Sequence, residues 1–329
     1  YSQALNSGYS ADFQTFKKRS VAAGYITSIG QVIQGFFQNQ SQDSYISKDI
    51  WWSKDFNEFL QNLHAPERND YIDTLREPGK PGSVKYKGRG SGIPTENALE
   101  KLRSFGVDMI SGEATAINDQ GAKYLAAFKE LQKFIEGTIN IYDKEGLLEE
   151  GVSEDWRGRY KYYVPLVGFA SDTREDQRPS ASGKGMTIYG PELKKAKGRV
   201  SISGPPFEQA IIQRQNAVVR AEKNIVAKQF ANLAREFPNP EMYEVIEDAP
   251  QIQPKLTDWN PDKGSYVGFK EDGKIKYVHI FDERLARAFQ GWSTSDIHGL
   301  TRMALGFTRY LSLINTAYNP EFMVTNAMR

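Results

Sequence analysis

The sequence has no cysteine in its 329 residues, which removes disulfides, thiolate metal ligands and cysteine nucleophiles from the chemistry open to it. Histidine is scarce as well. His64, His279 and His298 are the full set, and none stands at the four-residue spacing or beside the paired carboxylate that zinc hydrolases use. No Gly-x-Ser-x-Gly elbow is present to present a nucleophilic serine. No run of about 18 apolar residues could cross a bilayer. An excess of one charge is also missing, with 42 basic against 41 acidic side chains and a formal charge of +1. A general attraction to nucleic acid or anionic lipid is therefore excluded, and any basic site must be local.

Aromatic residues are plentiful, with 17 Tyr, 18 Phe and 5 Trp, enough to build a substantial core over about two domains. From Asp12 to Gln38, the residues Ala22, Tyr25, Ile26, Ile29, Val32, Ile33, Phe36 and Phe37 recur at helical spacing. The opposite face, Thr27, Ser28, Gln31, Gln34 and Gln38, is polar but uncharged. A solvated helix face usually carries Lys and Glu, so this one is expected to meet other protein, with insertion into a membrane as the alternative. Helical patches at Asp49 to Leu63 and Pro66 to Leu75 lead into a Pro- and Gly-rich loop, and helix resumes at Thr95 to Phe105 and Asp119 to Glu145, where Gly146 is placed to end it.

The middle of the chain predicts short strands at Tyr160 to Phe169, Met186 to Tyr189 and Val200 to Ser203. Pro205-Pro206 then introduces the longest helix, Phe207 to Phe237. Tyr266 to Phe269 and Ile275 to Ile280 flank Glu271-Asp272-Gly273-Lys274, which has hairpin chemistry. The same stretch, Gly268 to Lys274, matches P-loop spacing, yet Ile275 replaces the metal-holding hydroxyl and a strand pattern follows instead of a helix. It reads as a hairpin. The last part reads as helical, with a long element from near Ser295 to near Tyr318. Asn319-Pro320 then opens a helix pattern with no stop before Arg329, so the polypeptide is expected to continue.

These elements predict a mainly α, α+β architecture of several long amphipathic helices with a small antiparallel β module in the middle. The expected organisation is an N-terminal assembly helix (1–48), a helical region with a basic Gly-rich loop (49–159), a mixed region with short strands and the long helix (160–282), and C-terminal helices (283–329).

Two basic clusters are the candidates for phosphate contact. Lys85, Lys87 and Arg89 lie on the Gly-rich loop around Tyr86, and Lys194, Lys195, Lys197 and Arg199 precede a strand pattern. Such loops suit weak, salt-sensitive binding to DNA, or equally serve as solubilising decoration or docking segments for a neighbouring subunit. The acidic run Glu149, Glu150, Glu154 and Asp155 reads as a solvated surface at helix ends. The residue patterns call for no cofactor, no metal and no catalytic residue.

Five local motifs are more distinctive. They are His64-Ala65-Pro66-Glu67-Arg68-Asn69, Gly90-Ser91-Gly92-Ile93-Pro94-Thr95-Glu96-Asn97-Ala98, Tyr162-Tyr163-Val164-Pro165-Leu166-Val167-Gly168-Phe169, Arg220-Ala221-Glu222-Lys223-Asn224 and Asn315-Thr316-Ala317-Tyr318-Asn319-Pro320-Glu321-Phe322. In series over roughly Asp49 to Arg329, they resemble a domain of the large polyvalent proteins of phages and conjugative elements, which include giant internal virion (ejection) proteins and capsid-carried antirestriction proteins. The resemblance implies delivery with phage DNA. It implies partners among copies of the chain or other ejection and portal proteins, with non-specific DNA and transient host-envelope contact. The implied location is the virion interior, then the host envelope or cytoplasm. Antirestriction or DNA escort is the alternative it leaves open, and a cell-wall lytic enzyme is a third, for which the expected lytic motifs are missing.

Physically, the motif residues read as fold specification. Pro66 can start a helix in which Glu67 and Arg68 make ion pairs with neighbouring elements, and Asn69 can satisfy backbone groups of the following loop. Gly90 and Gly92 permit the turn before a helix capped by Thr95. Tyr163 and Pro165 bring aromatic bulk and an edge-strand stop. Glu222 and Lys223 lie on the long helix, where Arg220 and Asn224 share a face.

Overall fold

The computed structural model describes residues 29–38, 46, 48–75, 90–166, 188, 192–193, 198, 201–247 and 265–290. Among the described residues the fold is mainly α, with seven α-helices and two small antiparallel sheets. The helices are α1 (Ile29–Gln38), α2 (Lys54–Thr74), α3 (Thr95–Ser104), α4 (Asp119–Lys144), α5 (Val152–Arg159), α6 (Pro206–Glu236) and α7 (Glu283–Gln290), with a short 3-10 turn at Lys48–Trp52. A two-stranded sheet pairs β1 (Val107–Ile110) with β2 (Glu113–Ala116). A three-stranded sheet takes the order β3–β5–β4, from β3 (Tyr243–Ile246), β4 (Ser265–Glu271) and β5 (Lys274–Ile280).

Where the hydrophobic period is strong, the helices fall where the pattern places them. α4 starts behind Asn118, whose side chain accepts the Gly121 N–H, and closes where the Leu147 N–H bonds the Tyr142 carbonyl across Gly146. α6 carries its proline at the first helical position, where no N–H is needed. The β4–β5 hairpin turns on Asp272 and Gly273, both at positive φ (50° and 74°). That is the backbone an Asp-Gly two-residue turn supplies.

Four expectations differ from the structure. The two patches around Pro66 are one helix, α2, with the proline inside it. An internal proline costs a backbone hydrogen bond and roughly 3 kcal/mol, and the helix survives because buried Leu63, His64 and Ala65 on one side and Asn69 and Ile72 on the other hold both halves in place. Thr95 is the first residue of α3 and not its cap; Pro94 takes that position, and the Thr95 hydroxyl accepts from Asn69 instead. Residues 160–166 form no strand, so Pro165 ends no sheet edge there, and residues 201–203, expected to be the end of another strand, are irregular as well. Side chains bind main-chain groups of residues 161 and 162: Glu67 accepts from Lys161 and Tyr162, and Gln132 donates to the Lys161 carbonyl. The β1–β2 hairpin, turning at Ser111 and Gly112, was not expected at all.

Two hydrophobic cores result. The larger gathers α1, α2, α4 and the first half of α6, with Phe36 at its centre: its ring lies 4.8 Å from Trp51, 5.0 Å from Phe134 and 5.3 Å from Phe207. The apolar face of α1 is thus spent on its own chain, while Gln34 and Gln38 point outward. The smaller core packs Val226, Ala227, Phe230, Ala231 and Ala234 of α6 against β3–β5 and against Leu285, Ala286 and Phe289 of α7. Truncating Phe36, 5% exposed, empties the junction of three elements. Phe36→Ala is expected to lower the unfolding free energy by about 3–5 kcal/mol in urea titration, and a loss under about 1 kcal/mol would contradict the docking of α1.

Candidate functional site

The described motif residues converge on a buried polar tract between α2, α6, the segment 160–166 and β4. At one end Glu67 caps the main chain of residues beyond α5: its carboxylate accepts the N–H groups of Lys161 (3.0 Å) and Tyr162 (2.9 Å). The ion pair expected of Glu67 is replaced by this bidentate grip on backbone, with His64 Nδ1 3.8 Å away. Two residues on, Asn69 is wholly buried and clamps the loop before α3. Its Oδ1 accepts the Ser91 N–H (2.7 Å), and its Nδ2 donates to the Ile93 carbonyl (2.9 Å) and to Thr95 Oγ1 (3.0 Å).

The glycines beside this clamp are needed for space. A Cβ on Gly90 would lie 2.6 Å from Ile72, and one on Gly92, at φ +93°, would lie 2.0 Å from the Ser201 carbonyl oxygen.

Arg68 enters an aromatic enclosure. The Tyr160 and Tyr163 rings flank His64 at 5.1 and 5.4 Å, Trp156 lies 4.2 Å from Tyr163, and Tyr71 lies 5.7 Å from Tyr160. Burial pulls the Arg68 guanidinium below its usual range, against the opposing influence of Tyr163 and Tyr160. Burial pushes Tyr160 up to about 12, with Arg68 opposing. It raises Tyr163 too, where Arg68 and a hydrogen bond from Gln213 on α6 oppose it. Tyr142 on α4 extends the tract: burial raises its hydroxyl, and Arg220, Glu192 and Tyr163 all lie close enough to act on it.

At the other end Glu192 is bound by two cations. Arg220 of α6 takes one carboxylate oxygen and Lys270 of β4 the other; the side chains of Glu192 and Arg220 are each only 2% exposed. Lys223, one turn along from Arg220, is buried as well, and burial together with the Arg220 charge holds its amine down to about 8. Asn224 completes the group. Its Oδ1 accepts the Lys270 N–H (2.7 Å), and its Nδ2 donates to the carbonyls of Lys270 (2.9 Å) and Glu145 (3.0 Å). Glu222 is half-buried on the same helix.

Lys85, Lys87, Arg89, Lys194, Lys195, Lys197 and Arg199 fall outside the described residues, as do Asn319, Pro320 and the helix expected from Ser295 to Tyr318. Among the described residues, no group of three or more His, Asp or Glu side chains is placed to hold a metal ion, and no helix is long and apolar enough to cross a membrane. Sequence reasoning missed Glu192 and Lys270 as site residues. Glu192 is a lone carboxylate after a proline, with no periodic signal, and Lys270 sits inside a hairpin where alternation marks it only as strand. No family model, no curated protein and no solved structure matches the chain.

The tract uses charged and amide side chains to bind main chain and one another across elements, and its largest protonation shifts follow from that burial. Replacing Asn69 with Ala removes the acceptor of the Ser91 N–H and one of two donors to the Ile93 carbonyl, the Ser91 hydroxyl being the other, so about 1–3 kcal/mol of stability should be lost in urea titration. Lys223 offers a separate check. Its amine titrates near 8 in the folded chain against its usual 10.5, so the unfolded chain holds the extra proton between those values and stability rises with pH across that window. The difference in unfolding free energy between the parent and Lys223→Met should change by on the order of 3 kcal/mol between pH 7.5 and 11. A constant difference would show that Lys223 is not desolvated.

Proposed function

We propose that the chain is a non-catalytic structural domain of a large phage internal virion protein, packaged in the capsid and delivered into the host with the genome. Copies of itself or other ejection and portal proteins are its partners in this reading, and its location changes from virion interior to host envelope or cytoplasm.

The observation that carries the proposal is how the resembling motifs are used. His64–Asn69, Gly90–Ala98, the start of Tyr162–Phe169 and Arg220–Asn224 lie far apart in the chain, yet they meet in one tract. Glu67 holds residues 161 and 162, Asn69 holds 91 to 95, and Asn224 holds 145 and 270. What the motifs specify is therefore a set of joints between elements, as a docking and packing unit requires, and these bonds suffice to account for Glu67, Asn69 and Asn224. The outward face of α1, with exposed Gln34 and Gln38, is uncharged and suits contact with a neighbouring subunit.

Mass spectrometry of purified particles tests the proposal. Peptides of this chain should be recovered from intact virions, resist protease until the capsid is opened, and be found with the host cell after genome entry. Absence of its peptides from purified DNA-filled virions of the parent phage would overturn it.

A further inference from the structure

α6 is a single helix of 31 residues that serves two cores in turn. Its buried apolar residues belong to the larger core as far as Ala221 and to the smaller core from Val226 onward. Between them the inward positions are polar: Arg220, Lys223 and Asn224, at the three- and four-residue spacing that keeps them on one face. The two cores are therefore separated along the helix by a band of buried polar side chains.

Several contacts that cross this level are likewise polar. The Asn224 side chain ties the end of α4, at Glu145, to β4, at Lys270. The β4–β5 turn meets the same end of α4 through the Gly273 N–H and the Gly146 carbonyl (3.0 Å). Ile188, Glu192 and Leu193 each make contacts at this boundary. Ile188 is fully buried in the larger core while its N–H donates to the Gly268 carbonyl of β4 (3.0 Å), and Leu193 packs on the larger core. Glu192 then holds Arg220 and Lys270 at once.

A buried ion pair contributes less net stability than apolar packing, because both charges give up their hydration, yet removing one partner is costly since it leaves a charge buried without compensation. A boundary built this way is weak relative to the cores on either side, and the Glu192 carboxylate joins cations from both sides of it. Cooperative opening units follow such boundaries. We infer that β3–β5, α7 and the C-terminal half of α6 form a unit that opens by itself, and that Glu192 is the clasp controlling its release from the helical body. The clasp follows from geometry alone and goes beyond the virion reading.

Hydrogen exchange of the full chain, read by mass spectrometry on the parent and on Glu192→Gln, tests this directly. The substitution keeps the side-chain shape and removes the charge. Peptides from β3, β4 and β5 should exchange at least about tenfold faster in the variant, while peptides from α2 and α4 change far less. Equal acceleration in both sets would show one cooperative unit, and no acceleration would show that Glu192 clasps nothing; either result overturns the inference. Should the variant fail to fold, the parent in sub-denaturing urea decides. The β3–β5 amides should merge onto a shared opening isotherm at lower free energy than the α2 and α4 amides, and one isotherm for all of them would overturn it.

Discussion

The structure depends on α6 remaining one continuous helix while its environment changes from apolar to polar and back. Its first half is the wall of an aromatic core built from Phe36, Trp51 and Phe207, and its second half is the floor under a three-stranded sheet. At 1.5 Å per residue such an element is long enough to place two cores side by side without either enclosing the other. The inward side of the turn at Arg220 to Asn224 carries two charged side chains and an amide, Arg220, Lys223 and Asn224, which must find partners inside the protein.

That requirement explains the style of the polar contacts elsewhere. Glu67, Asn69 and Asn224 each bind main-chain groups that no ladder pairs: those of residues 161 and 162, of the loop before α3, and of the edge of β4 away from β5, where it meets the end of α4. A buried backbone N–H without a partner is expensive, so irregular segments can be interior only where a side chain replaces the missing ladder. Short, precisely spaced polar motifs are the natural sequence trace of such joints. This is why a chain with so few reactive side chain types still carries distinctive local patterns, and why those patterns bear on architecture before they bear on any reaction.

The surface of the sheet module shows the complementary case. Arg235 pairs with Glu247 and Glu271, and Lys276 reaches both carboxylates. The hydrogen bond from Arg235, then that from Lys276, holds the Glu247 carboxyl down to about 2. Those groups remain close to water, where ion pairs contribute little each. The clasp at Glu192 uses the same residue types in a buried setting, where loss of one partner has a much larger effect.

Periodicity and turn chemistry made α1, α4, α6 and the β4–β5 hairpin readable in advance, because each depends on residues close in the chain: a stripe three to four residues apart, a capping Asn118, an Asp272-Gly273 turn. The mainly α class with small antiparallel β content follows from those elements. Pro66 misled because a local rule was overridden by burial on both sides, and 160–166 misled because aromatic, β-branched composition there serves packing and not pairing. The β1–β2 hairpin carries too little alternation to announce itself beyond its Ser-Gly turn. The polar tract was only half visible: Glu67, Asn69 and the 220–224 cluster stand out as motifs, but their partners do not. Which carboxylate answers Arg220, and that it also answers Lys270 across an element 78 residues away, depends on distances that exist only once the chain has folded. Local sequence determined the elements; three-dimensional proximity alone decided the joints, since a buried charge is satisfied by whatever lies beside it in space and not by what precedes it in the chain.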